Sequence, residues 1–183
     1  NNNMIDSSNV EARLRSADIL LDKYNAPDAV ATWQEVLKRV PNEPRALLGL
    51  ARAAVFDGNG TATVRVRASL WADSMLVPGY VLLAQQHLGA EAFDSAYHDA
   101  SRALAIDSTA VDAWAVLGAI AWQRGDSAAL AVARAAALRA EPRSARFDAD
   151  LADAAERQRR YAEAVVLAGQ AVRVDSESAR AWG

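Results

Sequence analysis

The sequence predicts an all-α fold, a linear array of stacked helical hairpins. Three observations carry this prediction. Segments opening at Val10, Pro44, Val77, Val111, Ala145 and Ala179 read alike, at spacings of 34, 33, 34, 34 and 34 residues. Within a segment, apolar residues recur at helical spacing on two successive stretches. Small residues recur at fixed places on both, which lets two helices approach closely. A constant period of this size marks units that bury a continuous core only by stacking.

The segment from Val111 to Ser144 shows the unit most plainly. Trp114, Leu117 and Gly118 share one helical face, with Ala121 a turn further on. Gly125-Asp126 breaks the chain, and the Asp126 carboxylate can cap a second helix. That helix carries Ala129, Leu130, Ala133, Ala137 and Leu138. Glu141-Pro142 ends it, because proline disfavours helical geometry in the residue before it.

The other segments follow in order. Residues 1–9 are polar and Asn/Ser-rich and read as a flexible lead-in. The segment 10–43 predicts helices over 10–23 and 27–39, ending at Val40-Pro41. Its first helix has Arg13 and Ser16 in apolar slots, which suits a terminal unit with a polar outer face. The segment 44–76 predicts helices over 44–57 and 61–73 and is one residue short. The deletion is placed in the turn Asp57-Gly58-Asn59-Gly60, so that Ala62 and Ser69 keep the small slots. Val64 and Val66 alternate there, but the period overrides their β propensity. The segment 77–110 predicts helices over 78–89 and 93–106, and 111–144 predicts 111–123 and 127–140. The segment 145–178 predicts 145–158 and 161–174, with Asp148 in the slot of Trp114. Residues 179–183 begin a sixth unit and stop, and the chain opens without a start methionine, so a longer parent protein is expected.

Equivalent slots agree across the units. The slot of Leu117 holds Leu50, Leu83 and Leu151, and that of Gly118 holds Ala17, Ala51, Ala84 and Ala152. On the second helix one slot holds Ala29, Ala62, Ala96 and Ala164, with Leu130 the exception, and another Val36, Ser69, Ala103, Ala137 and Ala171. This pattern resembles the tetratricopeptide repeat (TPR): a bulky residue, Leu, a small residue, an aromatic, two Ala and a Pro near position 32. The resemblance covers 10–178 and implies a right-handed α-solenoid of antiparallel hairpins. It also implies that first helices line a concave groove used for recognition.

Composition narrows the function. The chain has 183 residues, 52% of them apolar, which is enough for a sizeable core. A net charge of −3 argues against nucleic acid or an anionic membrane as main partner. No uninterrupted apolar run is long enough to cross a membrane, so direct insertion is not expected. Cysteine is absent, which removes disulfides and thiolate metal sites and leaves cytoplasm and periplasm equally open.

No residue set predicts catalysis, a metal or a cofactor. His87 and His98 lie on one hairpin near Asp94 and Asp99, without a metal-ligand spacing. They read as a packed or capping His87 and a solvated His98. The Asp57–Gly60 turn lacks the downstream glutamate of a calcium loop. Asp148, Asp150 and Asp153 sit early in a helix and Arg157, Arg159 and Arg160 near its end, where each sign suits the helix dipole. Trp114 and Trp182 read as core, and Trp33 and Trp71 as packed between units. Trp122 admits two readings, a groove anchor or a core residue.

The resemblance places recognition at two first-helix positions. Here they hold Leu14 and Asp18, Leu48 and Arg52, Val81 and Gln85, Ala115 and Ala119, Ala149 and Asp153. Chaperone-binding relatives clamp a terminal carboxylate with Lys, Asn and Arg there. Only Arg52 matches in type, so a carboxylate clamp is not expected. What remains is an apolar track of Leu14, Leu48, Val81, Leu88, Ala115 and Trp122, with Arg52 and Gln85 as polar points. It suits a peptide or amphipathic helix laid in a groove, or the protein's own downstream chain. The predicted function is a non-catalytic protein–protein interaction scaffold that helps assemble or stabilise a larger complex. The alternative is the helper arm of a longer bacterial enzyme such as a zinc peptidase.

Overall fold

The computed structural model describes residues 2–58 and 60–174. The repeat end Asp175-Ser176, Trp182 and the sixth unit at 179–183 lie outside the described residues. Within them are ten helices and no strand. They are α1 (Asn2–Asp22), α2 (Ala26–Arg39), α3 (Pro44–Phe56), α4 (Ala62–Ala72) and α5 (Val77–Gly89). After these come α6 (Phe93–Ile106), α7 (Val111–Gln123), α8 (Ser127–Ala140), α9 (Arg146–Arg157) and α10 (Tyr161–Val174). Bounds agree with the periodicity to within about a residue, with one exception. Helix α1 begins at Asn2, so from there on the expected lead-in of residues 1–9 is helix. Extending a helix already nucleated by packed residues is cheap, since each added residue gains a hydrogen bond.

Local chemistry explains the punctuation. Asn25 caps α2 by accepting from the Asp28 N–H, and Pro27 sits in its first turn. Pro44 opens α3, where its missing N–H costs nothing. Asp126 Oδ1 accepts from the Ala129 N–H at 2.9 Å and caps α8. The turn inside each hairpin contains a residue with positive φ, always at the same place in the repeat. These residues are Tyr24, Gly58, Glu91, Gly125 and Arg159. Glycine takes this conformation freely, whereas Tyr24, Glu91 and Arg159 are held in it by the helices they join. Gly58 keeps that common place, so the missing residue of the second repeat belongs after it.

The chain divides into two compact units, Asn1–Leu82 and Leu83–Gly183. In the first unit the core gathers Leu14, Ala17, Ala29, Trp33, Val36, Ala46, Leu50 and Ala53. Trp33 is fully buried and lies against Gly49, where a Cβ would fall 2.2 Å from Trp33 Cε2. A side chain at 49 is thus excluded by the indole. Ser69 is also fully buried, and its hydroxyl donates to the Val66 carbonyl at 2.7 Å, which satisfies it locally. In the second unit the core gathers Val111, Ala115, Ala119, Ala133, Ala137, Phe147, Leu151, Ala155 and Leu167. The small slots read from the sequence are buried, among them Ala17, Ala51, Ala84, Ala103 and Ala171.

Two aromatic slots tie hairpins to the turns before them in the same way. Tyr80 Oη donates to the Ser74 carbonyl at 3.2 Å, and Trp114 Nε1 donates to the Ser108 carbonyl at 2.9 Å. The tryptophans of the second helices part company. Trp33 is packed away, as expected, but Trp71 is 88% exposed. Trp71 follows the buried Ser69 by two residues, a rotation of about 200° that turns it to the opposite face of α4.

Candidate functional site

Most of the apolar half of the expected groove is buried. Leu14, Leu48, Val81 and Ala115 are all buried. They complete the seams between helices of their own units, so reaching them requires unpacking. Leu88 and Trp122 are partly buried and pack against the core of the second unit. Trp122 is further covered from above, because the Arg160 guanidinium lies 3.9 Å from its ring centroid. Arg160 is fixed there by Glu163, which it contacts twice, at 2.8 and 2.6 Å. Trp122 is therefore not a free anchor. Gln85 and Asp153 are half-buried.

The polar half pairs with itself. Arg52 Nη1 meets Asp18 Oδ1 at 3.1 Å, and its Nη2 meets Asp22 Oδ1 at 3.3 Å. Arg45 meets Glu11 at 2.6 Å and Arg146 meets Asp112 at 3.4 Å. Each of the pairs 11–45, 18–52 and 112–146 joins positions 34 residues apart. Stacking brings one repeat position above the same position of the next repeat. Opposite charges at the period were the sequence signal for these contacts. Exposed pairs of this kind contribute about 0–1 kcal/mol each and serve register more than stability.

Two buried carboxylates stand out. Asp148 occupies an aromatic slot, and Arg134 reaches it at 2.8 Å. Burial pushes its carboxyl above the ordinary value of 3.8, and Arg134 only partly offsets this. A raised acid pKa in the folded state stabilises below the unfolded value and is lost as pH rises through the folded one. Asp148→Asn should therefore gain in melting temperature relative to the parent as pH rises above about 4. A relative loss over that range would contradict the assignment. Asp99 is the other, bridging His87 Nδ1 at 2.8 Å and His98 Nδ1 at 3.1 Å. His98 is exposed and His87 half-buried. Among the described residues no group of three His, Cys, Asp or Glu could hold a metal ion.

An accessible concavity lies elsewhere in the first unit. A cleft of about 410 Å3 is lined by Leu21, Asp22, Tyr24, Arg52, Val55, Phe56 and Leu82. The end of α1 supplies Leu21 and Asp22, the end of α3 supplies Val55 and Phe56, and the α1–α2 turn supplies Tyr24. Tyr24 is 81% and Phe56 56% exposed, with ring centroids 6.1 Å apart. Tyr24 is also one of the turn residues with left-handed backbone, at φ 60°. Sequence reading missed both aromatics because neither sits in a recognition slot. In the second unit a cleft of about 360 Å3 opens among α6, α7 and α8, with exposed Tyr97 and Val132 in its lining.

No protein-family model matches the chain, and no curated protein matches it in sequence. Solved structures do match. TTC0263, a TPR protein of Thermus thermophilus, is similar at a TM-score of 0.74 and 17% identity, covering 94% of this chain and 95% of its own. Pseudomonas aeruginosa pilF is similar at a TM-score of 0.72 and 17% identity, covering 96% and 80%. YrrB, described as a TPR protein with an unusual peptide-binding site, is similar at 0.56 and 15%, covering 93% and 88%. These likenesses show the fold.

Proposed function

From the premise that this chain has the TPR-like helical-repeat fold, an all-α solenoid, we propose that it is a non-catalytic scaffold that binds a peptide segment of a partner protein. The observation that carries this reading is the cleft at the ends of α1 and α3. Two exposed aromatic rings, Tyr24 and Phe56, stand beside a concavity lined by Leu21, Val55 and Leu82. Tyrosine is among the residue types enriched at the energetic centres of protein contacts. YrrB, of the same fold, is described as having a peptide-binding site, which is consistent with the proposal.

The site so proposed is not the expected track of buried leucines. It keeps Arg52 from that track and replaces the rest with Leu21, Asp22, Tyr24, Val55, Phe56 and Leu82. A peptide-display selection of random dodecamers on the whole chain tests it. Selected peptides should lose about tenfold or more in affinity on Phe56→Ala, since an aromatic anchor contributes about 2 kcal/mol. Trp71→Ala, on the far face of α4, should leave binding unchanged. Ligands that ignore Phe56 and Tyr24 alike would overturn the reading.

A further inference from the structure

We propose that the cleft at the ends of α1 and α3 selects a basic side chain, arginine or lysine, carried by the peptide next to an apolar residue. This rests on the peptide-docking reading above and adds the charge of the ligand to it.

Charge balance is the first ground. Two carboxylates, Asp18 and Asp22, share one guanidinium, that of Arg52. Of the neighbouring charges, Glu11 is met by both Arg15 and Arg45. Lys23 and Asp57 are exposed just beyond the ends of α1 and α3. The triad of Asp18, Asp22 and Arg52 by itself carries one negative charge in excess. Asp22 carries most of it outward, since its side chain is 66% exposed and touches Arg52 through only one oxygen at 3.3 Å. Asp18 is the deeper of the two. Burial raises its carboxyl above the ordinary value, Arg52 and then Arg45 only partly offset this, and Asp22 and Glu11 add smaller repulsion. A second cation would relieve that imbalance.

The rings are the second ground. The faces of Tyr24 and Phe56 are exposed beside Asp22 and carry negative potential. A guanidinium or ammonium within about 6 Å of such a ring is attracted to it. The aliphatic stem of Arg or Lys can lie along Leu21 and Val55 while its head stays among the carboxylates and rings. A ligand carboxylate fits poorly. It would face Asp18 and Asp22 and would need Arg52 released from both.

Three blocked pentapeptides test the inference: Ac-Gly-Leu-X-Leu-Gly-NH2 with X as Arg, Gln or Glu. Each is titrated into the 15N-labelled chain, and amide shifts of Lys23, Tyr24 and Phe56 are followed. The Arg peptide should bind about fivefold or more tighter than the Gln peptide, with the Glu peptide weakest. Its advantage should shrink as salt is raised. Asp22→Asn, a change at an exposed position, should bring the Arg peptide to the level of the Gln peptide while the helical spectrum stays the same. Equal affinities for Arg and Gln, a preference for Glu, or no shift with the Arg peptide at about 5 mM would overturn it. Selected dodecamers that depend on Phe56 yet lack basic residues would overturn charge selection alone and leave peptide docking standing.

Discussion

Trp33→Ala is expected to lower stability by about 3–5 kcal/mol, the range for emptying a large aromatic from a core. In a chain of this size that is a fall of roughly 6–20 °C in melting temperature. The indole is fully buried and joins residues of α1, α2 and α3 in one cluster. Its removal leaves a hole bordered by Ala17, Ala29, Ala46 and Ala53, whose methyl groups are too short to fill it. Gly49 provides a second measurement of the same contact. Gly49→Ala places a Cβ 2.2 Å from the ring and should cost about 1–3 kcal/mol through overpacking. Combined with Trp33→Leu, the same alanine should cost less than it does alone, because the clash is gone. Additive losses, or a Trp33→Ala cost below about 1 kcal/mol, would show that the ring does not hold the first unit together.

Leu151→Ala is expected to be the corresponding lesion in the second unit, at about 2–5 kcal/mol. Leu151 has no exposed surface and packs with Phe147, Ala155 and Leu167. Leu138→Ala, at an exposed position, is the control and should change little. Amide hydrogen exchange locates the effect. Protection should fall first in α7, α9 and α10, because hairpins in an array lean on their neighbours. A loss confined to α1–α4 would contradict this placement of the core.

Much of the fold was legible in the sequence. The period placed the helices, and the slots of Ala17, Ala51, Ala84, Ala103 and Ala171 foretold which residues would be buried. The Gly125-Asp126 break and the Asp126 cap were readable from local chemistry. The site was legible only in part. Arg52 was readable as a polar point, and its partner Asp18 stands one period before it, but its second contact with Asp22 falls off the period and was not readable. Tyr24 and Phe56 were not legible, because a tyrosine in a turn and a phenylalanine at a helix end carry no periodic signal.

By itself, then, the sequence determined the all-α repeat architecture, because the helical period assigns every residue an angular place on its helix and the 34-residue beat assigns each helix a neighbour. Only the tertiary structure decided which of those places water can reach. Leu14, Leu48, Val81 and Ala115 had the right angular place for a groove, yet adjacent helices cover them. Trp33 and Trp71 are both second-helix tryptophans, yet one is core and the other exposed. The long arginines settled the remaining surface: Arg52 closes on two carboxylates, Arg134 follows Asp148 inward, and Arg160 roofs Trp122. The physical reason is reach. Burial and pairing depend on side chains that extend across from another helix, and no pattern along a single helix records how far they go.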